Sequence, residues 1–335
     1  MKKYFYAIAI ALILFFAQHA AFNLIQANDY NLFNKGDKSK ENPISEKAEY
    51  KYPDFYKGMY LTVNSGNNFA KLKQFVEMAK SSGINTMVID VQPLKNKKTA
   101  ISAEHVKYCI DNGIHPVARV VVFPEGLKDY PVSKEYIQER LNIAEDAAKN
   151  GFKEIQFDYI RFNDSNRLRH LSLNDRYKFI EGFLQTARSS LVKYNVKTAA
   201  DVFGRIPLNK SDLIGQRMEG LDNSVDIICP MAYPSHYTWS KKLQDDPYQT
   251  VFITSKSAKD RVKKAEIVTW IQAFRMKLGK NSYTSYIKDQ IKATHDADIR
   301  GYILWNANQD YSIPLEVVKN YYLNQKSDKN SVTVR

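Results

Sequence analysis

Residues 154–163 read EIQFDYIRFN, an apolar, aromatic-rich run suited to a buried strand, yet Asp158 and Arg161 stand at its end. A partly desolvated carboxylate beside a guanidinium can serve as acid, base or nucleophile. It can equally be a structural ion pair that knits a strand end to its loop, and the pair alone does not decide. Other apolar runs end in the same way. Asp90 and Gln92 close TMVIDVQ, Arg119 lies within PVARVVVF, and Asp201 closes TAADV. VDIICPMAY leads through Met231 and Tyr233 to His236, EIVTWIQAF carries Trp270 and Gln272, and GYILWNA carries Trp305 and Asn306. Ring faces for the apolar sides of sugars, amides and charges for their hydroxyls, and two carboxyl groups for acid and base work are what a carbohydrate site requires. Asp158 and Asp201 are the candidate catalytic pair, with Asp90 in reserve. Arg119, Tyr159, Arg161, Tyr233, His236, Trp270, Gln272, Trp305, Asn306 and Asp90 are the candidate substrate contacts. The six histidines are scattered, with no HxH or HExxH, so neither a metal nor a cofactor is expected.

These residues need a scaffold that brings strand ends together. Eight β-rich runs occur, at 58–63, 86–91, 116–123, 154–162, 198–203, 225–233, 266–274 and 301–307. Between them lie helical patterns such as NNFAKLKQFVEMAKSSG and KEYIQERLNIAEDAAKNG, several closing on glycine. This is the rhythm of a single (β/α)8 TIM barrel over residues 57–324, an α/β fold whose chemistry sits where the strands end. A doubly wound open sheet is the competitor, but it would want GxGxxG or GxxxxGK[ST], and neither is present. Strand alternation places Gln156, Asp158 and Ile160 on one face and Ile155, Phe157 and Tyr159 on the other, so Asp158 points into the mouth. Arg161 is then the charge expected to keep it ionised. His115 begins a strand at the opposite, stability face.

Asp158 and Asp201 end adjacent strands about 4.8 Å apart, which puts their carboxyls about 5 to 6 Å from each other and suits retention of configuration. Asp158 is assigned as nucleophile and Asp201 as acid/base, its pKa raised by the neighbouring charge and by Ala199 and Phe203; the two could exchange roles.

The chain has 335 residues, 44% hydrophobic and 13% aromatic, enough for a large core. Its 49 Lys and Arg against 36 Asp and Glu give +13, which would suit an anionic neighbour. No helix-turn-helix, zinc-finger or RNP pattern accompanies that charge, so no nucleic-acid partner is expected. Lys2 and Lys3 precede an apolar run from Tyr4 to Ala17, with small residues at Ala20 and Ala21. Residues 1–25 thus read as a signal peptide or an uncleaved N-terminal anchor, and the protein as exported: periplasmic, secreted or membrane-tethered. Residues 26–56 read as a polar linker and 325–335 as a flexible tail. Cys109 and Cys229, both in apolar company, read as two buried free thiols.

The segments GMYLTV, INTMVIDV, HPVARVVVF, EIQFDYIRF, ADVFG, CPMAYPSHY, TWIQAF and GYILWNANQDYS, in that order, are similar to those of a bacterial glycosyl hydrolase family. That family, formerly a domain of unknown function, is related to the α-amylase-like (β/α)8 barrels. The resemblance implies the barrel, a carbohydrate polymer as substrate, and an acidic pair at Asp158 and Asp201. The chain departs from the family at Asn163, where proline is usual, in QPLKNKK after the second strand, and at Ala273, where an acidic residue is usual. Two functions follow from these features. One is a glycoside hydrolase acting on an extracytoplasmic or envelope polysaccharide, favoured by Asp158, Arg161, Asp201 and His236. The other is a catalytically silent barrel that binds glycans or envelope partners, favoured by Ala273.

Overall fold

All eight β-rich runs form strands: β1 Tyr56–Leu61, β2 Thr86–Asp90, β3 His115–Val121, β4 Glu154–Asp158, β5 Lys197–Phe203, β6 Ile227–Met231, β7 Glu266–Gln272 and β8 Gly301–Trp305. The computed structural model describes residues 50–92 and 99–332. The expected export segment, and the linker up to residue 49, lie outside them. Each strand pairs in parallel with the next and β8 pairs with β1, so the sheet is a closed barrel, the single (β/α)8 architecture expected from the sequence.

Local chemistry punctuates this order. Asn68, Ser102, Ser133, Ser172 and Ser282 cap their helices by accepting a backbone N–H with the side chain. Gly83, left-handed at φ 82°, ends the helix Phe69–Ser82. Gly301 is held at φ 146°, where a Cβ would sit 2.2 Å from the Tyr56 carbonyl oxygen. Only glycine lets β8 pair with β1 at that point.

The core has two layers. Ile89, Val120, Phe157, Ile228, Ile271 and Leu304 belong to the larger cluster, which takes in buried helix residues. Val88, Val117, Ala199, Cys229, Trp270 and Ile303 form the second cluster, which fills the barrel interior. At its base, His115 and Tyr56 both bond the buried Glu154 carboxylate at 3.1 Å, placing His115 on the stability face as expected. The seam between first and last strands is clasped by Tyr311. Its hydroxyl accepts from Tyr60 N at 3.2 Å and donates to the Tyr60 carbonyl at 2.8 Å, with the Leu304 carbonyl at 3.3 Å. Cys109 and Cys229 are buried and free.

Two details depart from expectation. β4 stops at Asp158, because Tyr159 turns left-handed at φ 53° and ends the alternation. Ile160 therefore joins the larger cluster with Phe157 instead of sharing the inward face with Asp158. The last helix, Ser312–Val332, runs on through residues 325–332, where a tail was expected; no Gly or Pro interrupts it there.

Candidate active site

A pocket of about 340 Å³ opens at the C-terminal ends of the strands. Its lining includes Asp158 and Tyr159 after β4, Asp201 and Phe203 from β5, Met231, Tyr233 and His236 from β6 and its loop, and Trp270 and Trp305 from β7 and β8. Arg119 of β3 is its electrostatic centre. Its Nη1 bonds Asp90 and its Nη2 bonds Asp158, while Nε lies 3.1 Å from Asp158 Oδ2 and 3.9 Å from Asp201 Oδ2. Strand register explains the first contact, since Asp90 and Arg119 are paired positions of β2 and β3. The Tyr60 and Trp305 rings lie together on one side of the guanidinium, with centroids 5.7 and 5.4 Å away.

Asp201 is 1% exposed and is fixed by Trp270, whose indole Nε1 donates to Oδ1 at 2.7 Å. Burial, then the charge of Asp158, push its carboxyl well above the usual range, outweighing Arg119 and Trp270. Asp158 is also buried, and its Oδ1 accepts from the backbone N–H of Tyr159 at 2.5 Å. The Tyr233 hydroxyl is pushed up by burial and then by both aspartates. At the rim, His236 is held below the ordinary imidazole value by partial burial and by Lys277.

The structure thus brings Arg119, Asp158, Tyr159, Arg161, Asp201, Tyr233, His236, Trp270 and Trp305 into one pocket. Asp90 stands behind Arg119, receiving the Tyr60 hydroxyl at 2.5 Å. The role expected for Arg161 is corrected: Arg119, not Arg161, holds Asp158. Arg161 turns to the Phe162 carbonyl at 3.0 Å and to Asp164 at 3.4 Å. Two expected sugar contacts are corrected as well. The Gln272 amide accepts from Ser235 N and from the Tyr286 hydroxyl, and donates to the Phe274 and Met276 carbonyls. Asn306 donates to the Ala273 and Asp310 carbonyls and accepts from Asn308 N. Both amides are consumed in shaping loops. Ala273 is fully buried in the larger cluster and does not line the pocket.

Three contributors were missed. Tyr60 is at an inward position of β1, two residues beyond Gly58, and strand period alone could have found it. Gln216 bridges the ends of β4 and β5 by donating to the Ile160 and Asp201 carbonyls, and nothing in its loop sequence signals that. Trp239, 57% exposed beside Tyr237, offers a ring at the rim. Among the described residues, no group of three or more His, Cys, Asp or Glu is placed to hold a metal ion.

No curated protein sequence matches the chain. Among solved structures it is similar to the PgaB (BpsB) glycoside hydrolase domain from Bordetella bronchiseptica, with a TM-score of 0.60 at 12% identity over 80% of this chain and 99% of that one. An endo-1,4-beta-mannanase from Rhizomucor miehei gives 0.57 at 11% identity over 82% and 95%. A chitinase from Chromobacterium violaceum gives 0.55 at 13% identity over 79% and 98%. At such identities the likeness is one of fold. A family model described as "Putative glycosyl hydrolase domain" matches residues 128–311, more than half of the chain, with β4 to β8 and both aspartates inside it, and the chain belongs to that family.

Proposed function

We propose that the protein is a retaining glycoside hydrolase acting on an extracytoplasmic polysaccharide, with Asp158 as nucleophile and Asp201 as acid/base. The observation that carries this reading is that two carboxyls share one arginine yet differ in surroundings. Arg119 binds Asp158 directly, whereas Asp201 lies deeper and its carboxyl is pushed well above the usual range. The two Oδ2 atoms can be no farther apart than the sum of their distances to Arg119 Nε. That excludes all but the short end of the roughly 6.5–9.5 Å range of inverting pairs and accommodates the roughly 5–5.5 Å of retaining ones. Asp158 attacks the anomeric carbon while Asp201 gives its proton to the glycosidic oxygen, and the leaving sugar departs. Asp201, now a base, takes a proton from water, whose oxygen displaces Asp158. Residues 1–25 would carry the enzyme out of the cytoplasm.

The test is the anomeric configuration of the first product, followed by NMR on an activated glycoside. Retention is expected; inversion overturns the mechanism. Azide should restore turnover to Asp201→Ala with a retained glycosyl azide, and to Asp158→Ala with the inverted one. Fusing residues 1–56 to a reporter active only after export tests the location, and a reporter that stays inactive in the cytoplasm refutes it.

A second reading, a silent glycan-binding barrel, draws on the full engagement of Asp158, whose Oδ2 meets two nitrogens of Arg119 and whose Oδ1 meets Tyr159 N. Glycan binding without release, unchanged by Asp158→Asn, would establish it.

A further inference from the structure

The pocket is lined by three arginines, and two of them are spoken for. Arg119 is divided between Asp90 and Asp158. Arg205 is clamped by Asp212, through Nε at 2.7 Å and Nη2 at 3.2 Å. Arg161 is different. It is 9% exposed, and among the described residues only Nη1 of its three nitrogens has protein acceptors, the Phe162 carbonyl and Asp164. Its Nε is buried with no hydrogen-bond partner among the described residues. Asp164, its one carboxylate contact among the described residues, is 60% exposed at the side chain and shared with Arg205, so water screens it.

The guanidinium is nonetheless held firmly. The Phe203 ring centroid lies 4.6 Å from it and that of Tyr159 5.9 Å. The backbone around it is pinned by Arg161 N donating to the Tyr159 carbonyl and Leu127 N donating to the Arg161 carbonyl. A cation so deeply buried and so incompletely paired is costly unless an acceptor arrives from elsewhere. Because it lines the same pocket as Asp158 and Asp201, that acceptor belongs to the bound molecule.

Resting on the reading that this pocket takes a glycan, we propose that Arg161 binds a carboxylate carried by the sugar, so that the substrate is an acidic polysaccharide. A single negative charge matches one guanidinium, whereas a phosphomonoester at about −1.5 to −2 would be only partly neutralised. The excess positive charge of the chain, formally +13, would draw such a polymer toward the protein.

The test uses the whole protein and oligosaccharides containing glucuronate, galacturonate or muramate, each beside its carboxyl-reduced form. At least one acidic member should bind about tenfold or more tighter than its neutral counterpart. Asp158→Asn should keep that preference and Arg161→Gln should abolish it. Arg161→Lys, which retains the charge, should keep part of it. Equal binding within every pair, binding of none, or a preference that survives in folded Arg161→Gln overturns the proposal. Tighter binding of a phosphodiester-linked glycan than of any carboxylate overturns it too. The comparison on the unmutated protein decides the matter if the variants fail to fold. Acid-selective binding without bond cleavage would sink the hydrolase reading alone, and equal cleavage of acidic and neutral forms would sink this inference alone.

Discussion

Trp270 donates its indole N–H to Asp201 from the floor of the pocket, so one buried ring both fills the barrel and aims a carboxyl. The bond favours the charged carboxylate, working against burial and the charge of Asp158, which raise the pKa. Trp270→Phe removes the donor, and Asp201 should stay protonated to still higher pH. With Asp201 as the acid, the alkaline limb of the kcat profile should move upward in pH while kcat falls about 10- to 100-fold from lost orientation. A limb that stays put or moves down would contradict the assignment.

The same raised pKa has a stability consequence. Asp201 holds its proton in the folded chain at pH values where the unfolded chain has released it. Stability is therefore lost as pH rises from the unfolded pKa toward the folded one. Asp201→Asn keeps an acceptor for Trp270 and abolishes this titration. Thermal melts should show the variant more stable at pH 7 to 8, with the gap closing near pH 4; each kcal/mol gained corresponds to about 2–4 °C. A variant less stable at every pH would refute the argument.

Arg119→Gln takes the common cation from Asp90, Asp158 and Asp201. Breaking a buried ion pair from one side costs about 3–5 kcal/mol, which urea unfolding at neutral pH should register. Adding Asp158→Asn to that variant should recover part of the loss, since one stranded charge is removed with it. An additive double mutant would show that the pair is not coupled.

Trp239 lies tilted beside Tyr237, with ring centroids 4.8 Å apart, and is 57% exposed at the rim. Trp239→Ala should weaken glycan binding about five- to tenfold, roughly 1 kcal/mol, and leave kcat nearly unchanged, because the ring makes no hydrogen bond or ring contact with either aspartate among the described residues and offers a face for binding at the rim. A fall in kcat at constant KM would place it in the chemistry instead.

The fold was legible because eight apolar runs alternate with helical patterns, and a parallel barrel follows from that order. Asp158 and Asp201 were legible because strand ends converge on one mouth. The partner of Asp158 was not. Sequence proximity suggested Arg161, but Arg119, paired with Gln156 two residues below Asp158, reaches it with a long side chain, and Arg161 follows the left-handed Tyr159 and bonds Phe162 and Asp164 instead. Gln272 and Asn306 looked like sugar ligands because an amide at a strand end offers both donor and acceptor. Sharp βα loops also need donors and acceptors for their own buried backbone, and here the loops took them.

Tyr60 and Trp305, whose ring centroids are 4.3 Å apart, come from the two ends of the barrel's chain, and Tyr311 fastens one strand to the other. A ribosome must finish Trp305 and Tyr311 before Arg119 acquires the second of its two ring neighbours. Prematurely terminated or C-terminally clipped chains would carry Asp158 and Asp201 but not the assembled pocket, so the appearance of activity would report that synthesis had reached the end of the barrel.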